Sequence, residues 1–357
     1  MTARPQDIPS GIRTARPSVY LFRAAAAHVR ACLTRSTPEG AARQLFGNDI
    51  VTREVILRAA TMPAETTTTG WAAELARLAI EDMVAQVASL SAAADVINRG
   101  TIVSLDGLGS IRIPGRVFAP NAADAGQWVA EGAPIPVRAQ TFTSGASLVP
   151  RKLAVIVPFS REMAETSAIE TIAKALISEA VGRALDAQMF SATAGDATKP
   201  PGLLVGLTPI TAATGGGANA AGADIGALVE ALALNYGGAH PVFIAAPRQA
   251  AALKLLAGPH FDYPVIASAA LAAGTIIAIE IASFVSGFAA APEFVATKGA
   301  TIHMEDTAPA DIVTPAGAVA VPVKSMFQTD TIALRMVMRA SWGIRAPHVS
   351  FITGATW

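Results

Sequence analysis

Five histidines are the first place to look for chemistry in this 357-residue chain: His28, His240, His260, His303 and His348. Imidazole serves metals and proton transfer, and both uses need partners at fixed spacing. None of the five stands in an H-x-x-H or H-E-x-x-H pattern. His303 with Glu305 and Asp306, in IHMED, is the one compact set of possible metal ligands. A strand running into a polar loop explains that set better. The run GGGANAAG (215–222) precedes a helical stretch, as a phosphate cradle does. It lacks the Lys-Ser/Thr pair of a P-loop and the glycine spacing of a dinucleotide fingerprint, so a mobile surface loop is expected there. Ser160 and Ser191 lie in no nucleophile-elbow pattern. Cys32 is the only cysteine, which excludes an intramolecular disulfide and any Cys-cluster metal site. A reducing interior suits it. With 15% charged residues, the chain offers few Asp, Glu and His to pair. The expectation is a protein without catalytic residues, cofactor or metal.

The absence of chemistry shifts attention to the elements. Lys plus Arg equals Asp plus Glu, at 27 each, but the balance is uneven along the chain. Residues 1–60 hold nine arginines against Asp7, Glu39, Asp49 and Glu54, a charge of +5, which leaves −5 on the remaining 297 residues. A basic arm of this kind is an address for an acidic partner or nucleic acid, or else a solvated amphipathic helix. The first residues, MTARPQDIPSGIRTARP, have no apolar signal-peptide core. Residues 265–291 carry Glu280 as their only charge, but they are built on alanine and glycine. A buried strand–loop–strand is expected there rather than a membrane span, because a mid-membrane acid costs about 2.5–3.5 kcal/mol.

Residues 18–46 read as one or two short helices divided at Pro38, and 71–90 as a loosely periodic helix. From 101 to 159 the texture is β, with a long irregular hairpin whose outer part is GQWVAEGAPIPVRAQTF (126–142). A two-stranded ribbon of this type is marginal in water unless another surface covers it. Ser167 and Glu170 form a capping-box pattern opening a long helix to about Phe190. Ile169, Ile172, Ala173, Leu176, Ile177, Ala180, Ala184 and Leu185 make its apolar face, with Asp186 among the polar positions. A helix over 224–236, a strand at 241–247 and a helix to Leu256 follow. Near the end, Ile332, Leu334, Met336, Met338, Ala340 and Trp342 alternate with more polar positions, which predicts a strand of more than ten residues beside the long helix.

Four stretches in this order carry a resemblance: WVAEGAPIPVRAQTF, then 148–206 with its strand, long helix and GDATKPPGLLVG exit, then HPVFIAAPRQAAALKLL, then FQTDTIALRMVMRASWGIRAPHVSFITG. Together they resemble the major capsid proteins of tailed phages, with the Hong Kong 97-type fold. The resemblance implies an α+β chain divided as 1–60 basic extension, scaffold-like; 61–100 N-terminal arm; 101–150 extended loop; 151–199 peripheral domain with the spine helix; 200–320 mixed α/β axial domain; 321–357 long strand and C-terminal segment. It implies self-assembly through hexamers and pentamers into an icosahedral shell around double-stranded DNA of a phage or prophage. Portal, head-completion, scaffold and prohead-protease partners come with it, as does a virion location after assembly in the bacterial cytoplasm, with no membrane and no cofactor. Trp128, Glu131, Ile135, Pro136 and Phe142 are then intersubunit contacts of the extended loop, and Ala60, Ala64 and Thr67 mark a maturation cleavage region. Some members join a loop lysine to a neighbour's asparagine. This chain departs from that pattern: it has no lysine before Lys152, its last asparagine is Asn235, and Gly132 follows Glu131. An encapsulin-type or gene-transfer-agent shell protein is the alternative of the same fold, and a soluble α/β enzyme with an unrecognised site the alternative of another class.

Overall fold

The computed structural model describes residues 17–47, 49, 52–53, 56, 84, 87–88, 90–115, 128–131, 145–166, 169–234, 237–258, 261–303 and 323–357. In chain order the elements are helices α1 (Pro17–Thr34), α2 (Pro38–Phe46) and α3 (Ala92–Arg99), then strands β1 (Thr101–Ser104), β2 (Ile111–Arg112), β3 (Ser147–Leu148) and β4 (Arg151–Ser160). Helices α4 (Arg161–Thr166) and α5 (Ile169–Met189), strand β5 (Ile210–Thr211), helix α6 (Gly217–Ala233), strand β6 (Pro241–Ala245) and helix α7 (Pro247–Ala257) follow. Strands β7 (Val265–Ala267), β8 (Ile276–Glu280), β9 (Phe284–Thr297), β10 (Thr301–His303), β11 (Val323–Ser325), β12 (Thr331–Ile344) and β13 (Val349–Thr353) complete the chain.

Two sheets organise these elements. The first has the order β1-β9-β12-β4, with the fourteen-residue β12 antiparallel to both neighbours and β1 parallel to β9. The second has the order β5-β13-β8-β6-β7. Sequence blocks and sheets do not coincide: β9, from the 200–320 block, pairs in the first sheet, and β13, from the last block, pairs between β5 and β8 in the second. The reason is pairing demand. Leu334, Met336, Met338 and Trp342 of β12 are buried, and a strand with one face in the core needs a hydrogen-bonded neighbour on each side for its buried backbone groups. Every residue of β6 and β8 is buried, which is why both read as unbroken apolar runs rather than alternating ones. Glu280, the one charge in that stretch, accepts backbone N–H bonds from Gly238 at 2.7 Å and His240 at 3.1 Å and so fixes the turn into β6.

Pro38 starts α2 rather than merely ending α1, because Thr37 accepts the Gly40 amide as N-cap and Pro38 takes a first-turn position. Helix α1 is not a solvated basic face. Ala25, Ala26 and Val29 are buried in the main core with strands β9 and β12 and helix α5, and the buried Phe22 packs on Phe294 at 6.3 Å between ring centroids. Arg23 turns to Asp49 at 2.7 Å, so part of the positive charge is used inside the fold. Helix α6 begins at Gly217, two turns before the expected start, and absorbs the run expected as a mobile loop. Its alanines explain this: Ala220 and Ala221 are buried, and alanine favours helix most.

Helix α5 carries the main surprise. Ala173, Ile177, Val181, Leu185 and Met189 form its buried face, while Leu176 is 38% exposed. Asp186, expected on a polar face, is buried at 8%. Its carboxylate accepts from Ser91 Oγ, from the Ala93 amide at 2.8 Å, from the Ala92 amide at 3.3 Å and from Ser268 Oγ at 2.9 Å. A carboxylate at the start of α3 satisfies donors that the helix itself cannot. The Ser167–Glu170 side-chain pairing lies outside the described residues.

Replacing Asp186 with alanine strands several buried donors, each costing about 1–3 kcal/mol. Urea unfolding should show a loss of about 3 kcal/mol or more; a loss under about 1 kcal/mol would contradict this role. On α1, burial pushes the His28 pKa below the ordinary histidine value. The folded value lies below the unfolded one, so the contribution is full above about pH 6.5 and is lost as pH falls through the folded value. His28→Leu should flatten the fall in thermal stability between about pH 7 and pH 5.

Candidate functional site

The segment expected to meet other subunits rises from a root that the sequence folds tightly. β1 and β4 enter it from the first sheet, and the two-residue ladder β2–β3 closes it with Ile111 opposite Leu148 and Arg112 opposite Ser147. The Ile113 amide adds a bond to Ala146 O at 3.0 Å, and the Leu105 amide bonds Phe288 O at 2.8 Å. Leu105, Leu148 and Val285 form a separate small core with Val103, Ile111, Ile113 and Ala289 around it. Gly145 is required there, because a Cβ would lie 2.1 Å from Ile113 O and 2.3 Å from the Gly115 amide. Such a root holds the entry and exit of the arm at one place on the sheet.

Of the predicted contact residues, Trp128 is fully exposed, at 104% of its reference area, and Glu131 is exposed beside it. Val129 between them is 38% exposed. Trp342 and Trp357, by contrast, are buried at 4% and 6%. Ile135, Pro136 and Phe142 lie outside the described residues, as do Ala60, Ala64 and Thr67. Among the described residues nothing covers this indole, and Trp is a residue type that carries binding energy when a second surface covers it.

The exit from α5 shows what its glycines are for. At Gly202 a Cβ would sit 2.0 Å from Ser191 O, and this close approach lets Leu203 N bond Met189 O at 2.8 Å. Trp342 Nε1 donates to Pro201 O at 2.9 Å and Gln188 Nε2 to Pro200 O at 2.7 Å, which seats the 195–201 segment over the first sheet. In the second sheet's unit, Trp357 Nε1 donates to Asp224 at 2.7 Å, and Gln249 bonds the carbonyls of Ala355 and Trp357 and the amide of Gly274. Asp224 and Gln249 have no sequence signal beyond being polar positions on alanine-rich helices.

Two groups with catalytic potential have structural partners. Ser283 Oγ and His348 Nδ1 are 2.6 Å apart, and His348 is buried against Gly237, tying the β8–β9 turn to the β12–β13 connection. Burial raises the Cys32 thiol above its ordinary pKa, against the opposing effect of Lys298, and its Sγ rests 3.1 Å from Ala296 O. A raised thiol is a packed one rather than a nucleophile. Among the described residues no three of His, Cys, Asp and Glu gather to hold a metal, and no helix is long and apolar enough to cross a membrane.

The model of the Phage capsid family matches residues 79–345. A solved chain from Mycobacterium phage Adephagia is 17% identical and superposes with a TM-score of 0.52 over 72% of this chain and 89% of that one. One from Mycobacterium phage Cain is 17% identical, with TM-score 0.52 over 73% and 90%. One from Mycobacterium phage Bobi is 16% identical, with TM-score 0.52 over 72% and 89%. At these identities the likeness is one of fold. No curated protein matches the chain.

Proposed function

Because the chain belongs to the phage capsid family and has the Hong Kong 97-type α+β fold, it is a structural capsid protein, and we propose how its parts build a shell. Copies associate as hexamers and pentamers that close an icosahedral head around double-stranded DNA of a tailed phage or prophage. The first sheet and α5 act as the peripheral domain, and the second sheet with α6 and α7 as the axial one. Residues 101–150 act as the extended loop, with Trp128 reaching a neighbouring copy. The observation that carries this reading is the combination of a rigidly rooted arm with a fully solvated tryptophan on it. A contact between unlike surfaces passes from copy to copy and closes into rings.

The contacts are non-covalent, since no lysine precedes Lys152 and no asparagine follows Asn235. Assembly takes place in the bacterial cytoplasm before DNA enters, and portal, head-completion, scaffold and protease proteins are its partners. The region of Ala60, Ala64 and Thr67 is a maturation cut. The burial of α1 supports a specific form of that cut: the piece carrying residues 17–34 stays in the subunit core after cleavage.

Purified chain examined by negative-stain microscopy should show rings or closed shells, where an enzyme of unrelated architecture would show small particles only. Nucleic acid rather than protein inside the particles separates a phage head from an encapsulin-type compartment. Boiled in detergent, the particles should run as monomers, and a ladder of covalent multimers would refute the non-covalent reading. Trp128→Ala should lower the assembled fraction about tenfold with an unchanged melting temperature, and normal shells from that variant would count against the arm. Mass spectrometry of the particles should find both fragments of a chain cut within 60–67; an intact chain would remove the cleavage proposal.

A further inference from the structure

Among the described residues six buried side-chain atoms lack a hydrogen-bond partner, and three of them are arginine Nε donors, on Arg23, Arg30 and Arg53. All three fall within the first 60 residues, although arginines continue as far as Arg345. Helices α1 and α2 pack together there, and Ile56 joins Ala24, Ala27 and Ala42 in a small core. Arg23 and Arg30 stand seven positions apart on α1, which places them within about 20° of each other and about 10 Å apart along one strip. Arg53 belongs to the same unit, because its amide bonds Asp49 O at 3.3 Å and Asp49 pairs with Arg23 at 2.7 Å.

Asp49 is already engaged. Besides Arg23 it accepts from Thr52 Oγ1 at 2.8 Å and from the Thr52 amide at 3.3 Å. Among the described residues no ion pair includes Arg30 or Arg53. The rim has the same sign, with Arg35 just past α1 and Arg43 on α2 both exposed. Five described arginines of this unit face only Glu39 and Asp49, a charge of +3. Leu45, at 41%, is its one exposed large apolar side chain among the described residues. A protein interface builds its core from apolar and aromatic residues, whereas a surface that grips phosphates is polar and positive.

We propose that α1, α2 and the residues from Asp49 to Ile56 form a nucleic-acid contact, in which Arg30 and Arg53 take phosphodiester oxygens of the enclosed double-stranded DNA. The inference rests on the shell reading and deepens it by naming the residues that touch the contents. A guanidinium offers Nε–H and one Nη–H as a parallel fork to two phosphate oxygens. In the folded chain the Nε–H of that fork is buried without an acceptor, a costly arrangement. Turning the guanidinium outward to a phosphate relieves that cost and gains charge-assisted bonds. Several cations spread over two helices suit a repeating polyanion better than a single ion, since duplex DNA carries a charge about every 1.7 Å of its axis. Ala25, Ala26 and Val29 anchor α1 in the main core, so the strip is mounted on the folded subunit rather than on a free tail. Phosphate contacts of this kind read no sequence, which suits a container filled with one long duplex.

Anisotropy of a short labelled duplex of mixed sequence, titrated with the full chain before assembly, reads the contact. Arg30→Gln with Arg53→Gln should weaken binding about tenfold and lower the slope of log affinity against log salt by about 1.8, near 0.9 for each lost phosphate. Arg248→Gln with Lys254→Gln on α7 removes the same charge elsewhere and should leave affinity within about twofold of the original. Equal losses from the two pairs, or no loss from the first, would overturn the site. Inorganic phosphate or polyglutamate that competes as well as unlabelled duplex would overturn nucleic acid as the ligand. A second measurement needs no variant. Phenylglyoxal modification of the original chain, read by mass spectrometry, should slow several-fold at Arg30 and Arg53 when duplex is present and stay unchanged at Arg248. Duplex bound through these residues by a chain that forms no shells would uphold the contact while defeating the shell reading. DNA-filled shells in which Arg30 and Arg53 gain no protection would overturn the contact and leave that reading standing.

Discussion

Asp186 is the point on which the two halves of the molecule are fastened. Its carboxylate reaches Ser91 and the first amides of α3 on one side and Ser268, just after β7 of the second sheet, on the other. Helix α5 thereby carries a polar tie through the middle of an otherwise apolar contact. Hydrophobic packing alone fixes area rather than position, whereas a carboxylate with four donors around it fixes the relative placement of three segments. Around the tie, the main core runs without interruption from α1 through α5 and β12 to β6 and β8.

The same economy appears wherever the chain turns back on itself. Gly202 and Gly145 permit backbone contacts that any side chain would block, one at the exit from the long helix and one at the root of the arm. Each leaves the neighbouring element free to use its full length. β12 runs fourteen residues between β9 and β4, and its one register shift, between Val337 and Arg339, lets β9 follow it at both ends. The arm is thus mounted on the most extensively paired part of the fold. A contact made at its far end is referred to a rigid base.

Much of this was legible in the sequence because it depends on periodicity. The alternation from Ile332 to Trp342 announced β12, the spacing from Ala173 to Leu185 announced α5, and the apolar run around Ile276–Glu280 announced a buried strand. The order of these parts along the sequence itself resembles the capsid fold. What the periodicity did not carry was polar burial. Asp186 stands at a position that looks solvated, and only the tertiary approach of Ser91 and Ser268 brings it inside. The early start of α6 was hidden because glycine marks loops on average, while Gly217 sits at a helix end where its cost is small. The arginines of residues 1–60 suggested a basic arm or a solvated helix, since charge summed over a segment is blind to Phe22, Ala25 and Val29, which decide the packing of α1. On the candidate site, Trp128 and Glu131 were readable as residues without an internal task.

The ladder between β4 and β12 also sets how the subunit answers a mechanical pull. Ten successive positions are paired, from Arg151 opposite Ala340 to Ser160 opposite Thr331. Tension arriving at the Arg151 end and directed along the strand strains all of these rungs together, in shear, instead of peeling them one after another. Neighbouring copies that tug on one another as a container fills would then stretch a strand lengthwise, the direction in which a β-ladder resists rupture best.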